Sequence, residues 1–231
     1  MVRDGKAVGK WSDAGIYYIQ LINQPSDTQV QPIVMGIDPG KKFSGIAVQS
    51  AKTTLYLAHL ILPFASITKK MTARRILRRT RRGRRIDRRK PFKLRSHRQK
   101  RFDNRRQSKL PPSIRANRQL ELRIARELCA LFPISNIVYE YVEAKGSKSF
   151  SPVMVGQKVM LGWLERLAPV TTQFGWQTAL IRERLGLVKN KLDKAKQSPE
   201  THAVDGIALA SSQFVRYESF TQKRARTQMG R

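Results

Sequence analysis

The chain has 231 residues, 46 Lys and Arg against 16 Asp and Glu, a formal net charge of +30 and a hydrophobic share of 40%. That share provides a core and excludes a wholly disordered chain, while no apolar run reaches the roughly 18–20 residues of a membrane span. The single cysteine, Cys129, excludes an internal disulfide framework and a multi-cysteine zinc site; with no secretory hydrophobic region near Met1, a reducing cytoplasmic setting is expected.

Along the chain, residues 16–22 read as the first strand and residues 24–31, with Pro25 and Asp27, as a linker. Residues 33–38 form a second apolar strand that ends in the turn Pro39-Gly40, and residues 45–48 and 53–62 follow as strands at short spacing, predicting an antiparallel meander. A basic block comes next. Residues 74–106 hold 18 Lys and Arg against Asp87 and Asp103, net +16, and the other 198 residues carry the remaining +14. Charge at that density repels itself unless a polyanion neutralises it, and nucleic-acid phosphate is the obvious partner.

Residues 73–89 lack proline and predict a helix, with Gly83 its weak point and Pro91 its stop. Ile76, Leu77 and Ile86 are too sparse for a core stripe, so this helix needs a partner other than a protein core. Pro111-Pro112 closes the basic region. Residues 115–131 then predict an amphipathic helix on Leu120, Ile124, Leu128 and Leu131. A strand over 136–140, a helix over 157–167, a strand over 176–181 and a helix over 203–214 complete the reading. Strands first, then helix and strand in alternation, predict an α/β sheet with an antiparallel edge and no internal repeat.

Three carboxylates stand at the edges of apolar elements: Asp38 at the end of one strand, Glu140 at the end of another, Asp205 opening the last helix. Acids so placed lose hydration and ask for a reason. If the strands are neighbours the three converge, and Mg²⁺ or Mn²⁺, as two ions, would relieve their repulsion and suit phosphodiester hydrolysis. Each acid also has a plainer reading. Asp38 can cap turn amides or, as in sugar-kinase and actin-like ATPases, address phosphates, although 231 residues leave little room for two such domains. Glu140 has a rival in Glu143, on the opposite strand face. Asp205 can serve a helix dipole, and His202 can be a capping or packing histidine.

Gly36-Ile37-Asp38-Pro39-Gly40, Arg78-Arg79-Thr80-Arg81-Arg82, Leu110-Pro111-Pro112-Ser113, Ile137-Val138-Tyr139-Glu140, Arg184-Leu185-Gly186-Leu187 and Thr201-His202-Ala203-Val204-Asp205, in this order, resemble the IscB/IsrB group. These are transposon-encoded, RNA-guided nucleases whose RuvC-like domain is split by an arginine-rich bridge helix, the RRXRR motif. The resemblance implies an RNase H-like (RuvC-type) mixed sheet with helices, interrupted by that helix. It implies Asp38, Glu140 and Asp205 as catalytic metal ligands holding Mg²⁺ (or Mn²⁺), with His202 beside them. Arg78, Arg79, Arg81, Arg82, Arg84, Arg85, Arg88 and Arg89 would grip a guide RNA of the ωRNA kind and its duplex with target DNA, where arginine's planar fork suits phosphate. Sequence would be read by guide pairing.

The implied divisions are 1–30, a remnant of an N-terminal Pro-Leu-Met-Pro-type segment with a linker; 31–66, RuvC-like part I; 67–112, the bridge-helix region; 113–216, RuvC-like parts II and III; and 217–231, a basic tail. Glu140 and Asp205 are 65 positions apart, and three histidines with one cysteine cannot supply an HNH centre. The resemblance is therefore to the HNH-lacking IsrB branch, apparently trimmed at both ends, and the expected reaction is a nick in the non-target strand. The expected particle is a monomeric ribonucleoprotein in the bacterial cytoplasm, nucleoid-associated on DNA, with no membrane partner. The alternatives are a catalytically idle or domesticated nucleic-acid-binding remnant of the same family and a guide-independent, structure-selective nuclease.

Overall fold

The computed structural model describes residues 1–13, 15, 17–24, 30–84, 86–95, 110–143, 151–190 and 199–214. Its centre is a five-stranded sheet built from β3 (Ile33–Asp38), β4 (Phe43–Ser50), β5 (Thr54–Ile61), β6 (Ile134–Tyr141) and β7 (Val170–Phe174), in the order β5-β4-β3-β6-β7. β3, β4 and β5 pair antiparallel as the expected meander, and β6 and β7 add in parallel beside β3. This is the RNase H-like arrangement that the resemblance implies. β3 is buried along its whole length, which explains its unbroken apolar run, whereas β5 at the sheet edge has no fully buried residue.

Helices cover both faces. α2 (Pro112–Leu131) and α3 (Pro152–Leu164) pack on one face over Ile33, Met35, Ile37, Ile137 and Tyr139. α5 (Pro199–Ser211) lies on the other face, over Val34 and Val138, with α4 (Gly175–Arg184) beside it. Among the described residues no helix is long and apolar enough to cross a membrane.

A separate two-stranded hairpin precedes the sheet: β1 (Ala7–Trp11) pairs antiparallel with β2 (Tyr17–Leu21). Sequence reading found β2 and missed β1, whose pairing partner, and not its own composition, makes it a strand. Residues 25–29 of the expected linker lie outside the described residues, as does the expected basic tail from residue 217.

Four further expectations need correction. The arginine-rich helix, α1, runs from Phe64–Arg84, starting earlier and ending five residues short of residue 89. It stops one residue after Gly83, where a helix loses about 1 kcal/mol relative to alanine. Residues 176–181 are not a strand but part of α4. β7 ends at Phe174, and the Gln177 side chain folds back so that its Oε1 accepts the Phe174 N–H at 2.9 Å, starting a helix. α5 begins at Pro199, so Asp205 lies in its second turn and does not open it. On α2 the buried face is Asn117, Arg118, Glu121, Leu122, Ala125 and Leu128, and Leu120, Ile124 and Leu131 are only half-buried.

Candidate acidic centre

β3 and β6 run side by side with Ile37 opposite Tyr139. Val34 and Val138 touch α5, and side chains an even number of positions further on keep to the same face. Asp38, the last residue of β3, and Glu140, the last but one of β6, therefore lie on adjacent strands on the α5 side. Glu143 lies exposed beyond the last residue of β6, which removes it as a rival.

Glycines let α5 approach closely. Gly45 stands opposite both Asp38 and His59 in the ladder, and a Cβ at Gly45 would overlap the carbonyl of His202. At Gly36 a Cβ would run into the Gly206 carbonyl. The backbone of α5 thus rests on the bare backbone of β3 and β4, which brings His202 and Asp205 over the strand ends. His202 Nδ1 is 3.6 Å from Asp38 Oδ2, and its ring sits against those of Phe43 and His59 at centroid distances of 5.6 and 5.4 Å.

The electrostatics report the convergence of the acids. Burial pushes the Glu140 carboxyl up to about 8, and the charges of Asp38 and Asp205 push in the same direction; Lys189 and a hydrogen bond with Thr178 offset part of this. Three carboxylates close enough to repel one another are at hand. Asp205, 3% exposed, is paired with Arg182 Nη1 at 2.5 Å and with Lys189 Nζ. Among the described residues no group of three or more Asp, Glu, His or Cys side chains stands arranged to hold a metal ion. The partners that Asp205 meets directly are thus Arg182 and Lys189, cations that offset the cost of burying its charge. The chemistry of the donor set still fits a hard divalent cation: three carboxylates, one of them driven toward its neutral form by burial and by its neighbours' negative charge.

Sequence reading missed the network that holds Asp38 from below. Arg118 of α2 is 6% exposed and Glu121 and Tyr139 are fully buried. Arg118 Nη1 contacts Glu121 Oε2 at 2.9 Å and donates to Tyr139 Oη at 2.5 Å, while Nη2 donates to the Gly40 carbonyl at 3.0 Å. Asn117 Nδ2 donates to the Lys41 carbonyl at 2.9 Å, and Ser44 Oγ donates to the carbonyl of Asp38 at 2.8 Å. Burial works to lower the Arg118 pKa, but Glu121, Tyr139 and Asp38 more than offset it, so the guanidinium stays charged. Burial drives Tyr139 well above the usual phenol range and Glu121 up to about 7. On the same face of the sheet, Gln157 of α3 fastens the chain after β6, accepting from Val142 N–H and donating to its carbonyl, both at 2.9 Å. An Arg and a Glu three apart on the inner face of a helix were the available signal.

The arginines expected to bind nucleic acid are distributed along and beyond α1. Arg78, Arg79, Arg81 and Arg84 are exposed on the helix, and Arg74, Arg75, Arg78 and Arg79 line a hollow of about 450 Å³. Arg82 belongs to the helix with its side chain outside the description, and Arg85 lies outside the described residues. Arg88 and Arg89 are exposed past the helix end, in a turn where Asp87 Oδ1 accepts the Arg89 N–H at 3.0 Å.

A protein-family model described as "RRXRR protein" matches residues 1–158. Among solved structures, Thermus thermophilus RuvC in complex with a Holliday junction substrate is similar at 13% identity and a TM-score of 0.42, covering 78% of this chain and 90% of that one. A second Thermus thermophilus RuvC structure is similar at 13% identity and a TM-score of 0.42, over 82% and 96%. No curated protein matches.

Proposed function

Because this chain belongs to the RRXRR protein family, we propose that it is a divalent-metal-dependent endonuclease that nicks DNA under the direction of a bound RNA. One observation carries this reading: Asp38 and Glu140 lie on adjacent parallel strands on the face covered by α5, near enough to each other and to Asp205 for their charges to repel. Asp38, Glu140 and Asp205 would hold Mg²⁺ or Mn²⁺, which when bound activates water and stabilises the leaving oxygen of a phosphodiester.

The chain's own groups supply the remainder. Asp38 faces Nδ1 of His202, which leaves Nε2 for proton exchange with a reacting group, and the rings of Phe43 and His59 fix the plane of the imidazole. Arg118, Asn117 and Ser44 pin the turn that carries Asp38. The exposed arginines of α1, a helix roughly 30 Å long, present guanidinium forks to phosphates without asking for base sequence.

The ion pairs on Asp205 favour one alternative, a nucleic-acid-binding chain whose acidic centre is idle. Supercoiled plasmid bearing the guide's target separates the two. Protein purified with co-expressed RNA should nick it in Mg²⁺ and not in EDTA, and Asp38→Ala should abolish nicking while retaining RNA. No nicking by the unaltered chain, or equal nicking by Asp38→Ala, rejects the enzyme and leaves the binder.

A further inference from the structure

Between α2 and α3, on the sheet face away from the carboxylates, lies a groove of about 490 Å³ lined by Gln119, Leu122, Arg123, Arg126, Trp163 and Arg166. Its volume falls in the range of about 300–1,000 Å³ typical of ligand sites. Arg123, Arg126 and Arg166 are exposed, and none of the ion pairs among the described residues involves them. Trp163 is half-buried, packed on its inner side against the core and so held in place. α1 packs on α2, which puts this second cationic surface on the helix next to the arginine-rich one.

We infer that this groove binds a single-stranded segment of RNA, its phosphates held by Arg123, Arg126 and Arg166 and one base stacked on Trp163. Three guanidinium groups around one indole match a polymer in which anionic phosphates alternate with aromatic bases. In a duplex the base faces are already stacked, so an indole has a face to cover only where the strand is unpaired. A strand held here is on the opposite side of the sheet from Asp38, Glu140 and Asp205, and is kept and not cut. Gln119 offers both a donor and an acceptor, the pair that reads a ribose 2′-hydroxyl. Naming RNA as the kept strand rests on the proposed function; the groove does not.

The test uses the full chain with Trp11→Phe and Trp176→Phe, which leaves Trp163 as its one tryptophan. Titration with a short oligouridylate should quench Trp163 fluorescence at the concentration where anisotropy reports binding. Arg123→Gln/Arg126→Gln/Arg166→Gln should weaken binding by about 10- to 100-fold. It should also lower the salt slope by roughly 2, at about 0.7 for each phosphate of a single strand left without its arginine. The control Arg3→Gln/Lys6→Gln/Lys10→Gln removes the same charge from exposed positions of the first hairpin and the turn before it, and should change affinity much less. Oligothymidylate of equal length should bind more weakly than oligouridylate, and Gln119→Leu should narrow that gap.

Equal losses in the two triple variants would reduce the groove to general charge, and an unquenched Trp163 at saturation would place the RNA elsewhere. Equal or tighter binding of the DNA strand would overturn the choice of RNA. All the residues changed in the groove variant are exposed, and circular dichroism of each triple variant confirms its fold. None of these readouts depends on cleavage. A chain that fills the groove yet never nicks refutes the nuclease alone, and one that nicks with Trp163 unquenched refutes the groove alone.

Discussion

Arg118 and Gly40, 78 positions apart in sequence, are joined by a guanidinium-to-carbonyl hydrogen bond of 3.0 Å. The bond crosses from the first half of α2 to the turn that follows Asp38, and the same guanidinium contacts Glu121 and Tyr139 in the core. A charge this deep is costly unless every partner is in place. Arg118→Met leaves Glu121 without its counter-charge and should cost about 3–5 kcal/mol in urea unfolding. Arg118→Met/Glu121→Leu removes both charges and should recover most of that loss. Nicking should stay impaired in the double variant, because the Asp38 turn has lost the Arg118 tether and keeps only those of Asn117 and Ser44. If stability and nicking return together, the network serves packing alone.

Glu121 sets a pH dependence. In the unfolded chain its carboxyl ionises near its ordinary value of 4.5, whereas burial raises it in the folded protein to about 7. Between those values the folded state keeps a proton that the unfolded state has released, so this contribution is fully present below the lower value and is lost as pH rises through the upper one. The difference between the two values corresponds to roughly 3 kcal/mol. Urea midpoints should fall between about pH 5 and pH 8, and Glu121→Gln should flatten that slope. A slope unchanged in Glu121→Gln assigns it to other groups.

What the sequence made legible, and what it hid, follows from the range of the forces involved. The strand of Asp38 could be read because β3 is buried on both faces and its composition says so locally. Glu140 could be read for the same reason, since Ile137, Val138 and Tyr139 are all buried. The helix at residues 176–181 could not, because a short apolar run suits a strand or a helix equally, and the deciding Gln177-to-Phe174 bond is made only once β7 has ended. The inner face of α2 was hidden by chemistry: Arg118 and Glu121 look like solvent-facing residues until Tyr139 and the Asp38 turn arrive from distant segments. The counter-ions of Asp205 were hidden likewise, since Arg182 and Lys189 meet it only when α4 and α5 pack together.

Two glycines separate a packing role from a local one. A Cβ at Gly45 would overlap the His202 carbonyl, a backbone atom that cannot turn aside, so Gly45→Ala must lift α5 off β4. The expected cost is about 1–3 kcal/mol, as for an overpacked core, together with loss of nicking as His202 moves away from Asp38. At Gly83 a Cβ meets nothing. Gly83→Ala should stabilise the end of α1 by about 1 kcal/mol and raise helical circular dichroism. Equal thermal shifts in the two variants would contradict the close approach of α5 to the sheet.

Lys189 is the group against which a metal ion must compete. Its ammonium pairs with Asp205, and its charge also lowers the pKa of Glu140, so it acts on two of the three proposed metal ligands. Lys189→Met leaves Asp205 with Arg182 alone and returns negative charge to the centre. The variant should be less stable than the unaltered chain in EDTA, since a buried carboxylate has lost a counter-ion, and Mg²⁺ should stabilise it more. A roughly tenfold tighter Mg²⁺ constant would appear in thermal melting as about 1.4 kcal/mol of extra stabilisation at an excess of the ion. Melting temperatures read against Mg²⁺ concentration, without any nucleic acid present, decide the matter. If Mg²⁺ moves neither protein, Asp38, Glu140 and Asp205 are not a metal site; if it stabilises the unaltered chain more than Lys189→Met, the lysine assists the ion and does not oppose it.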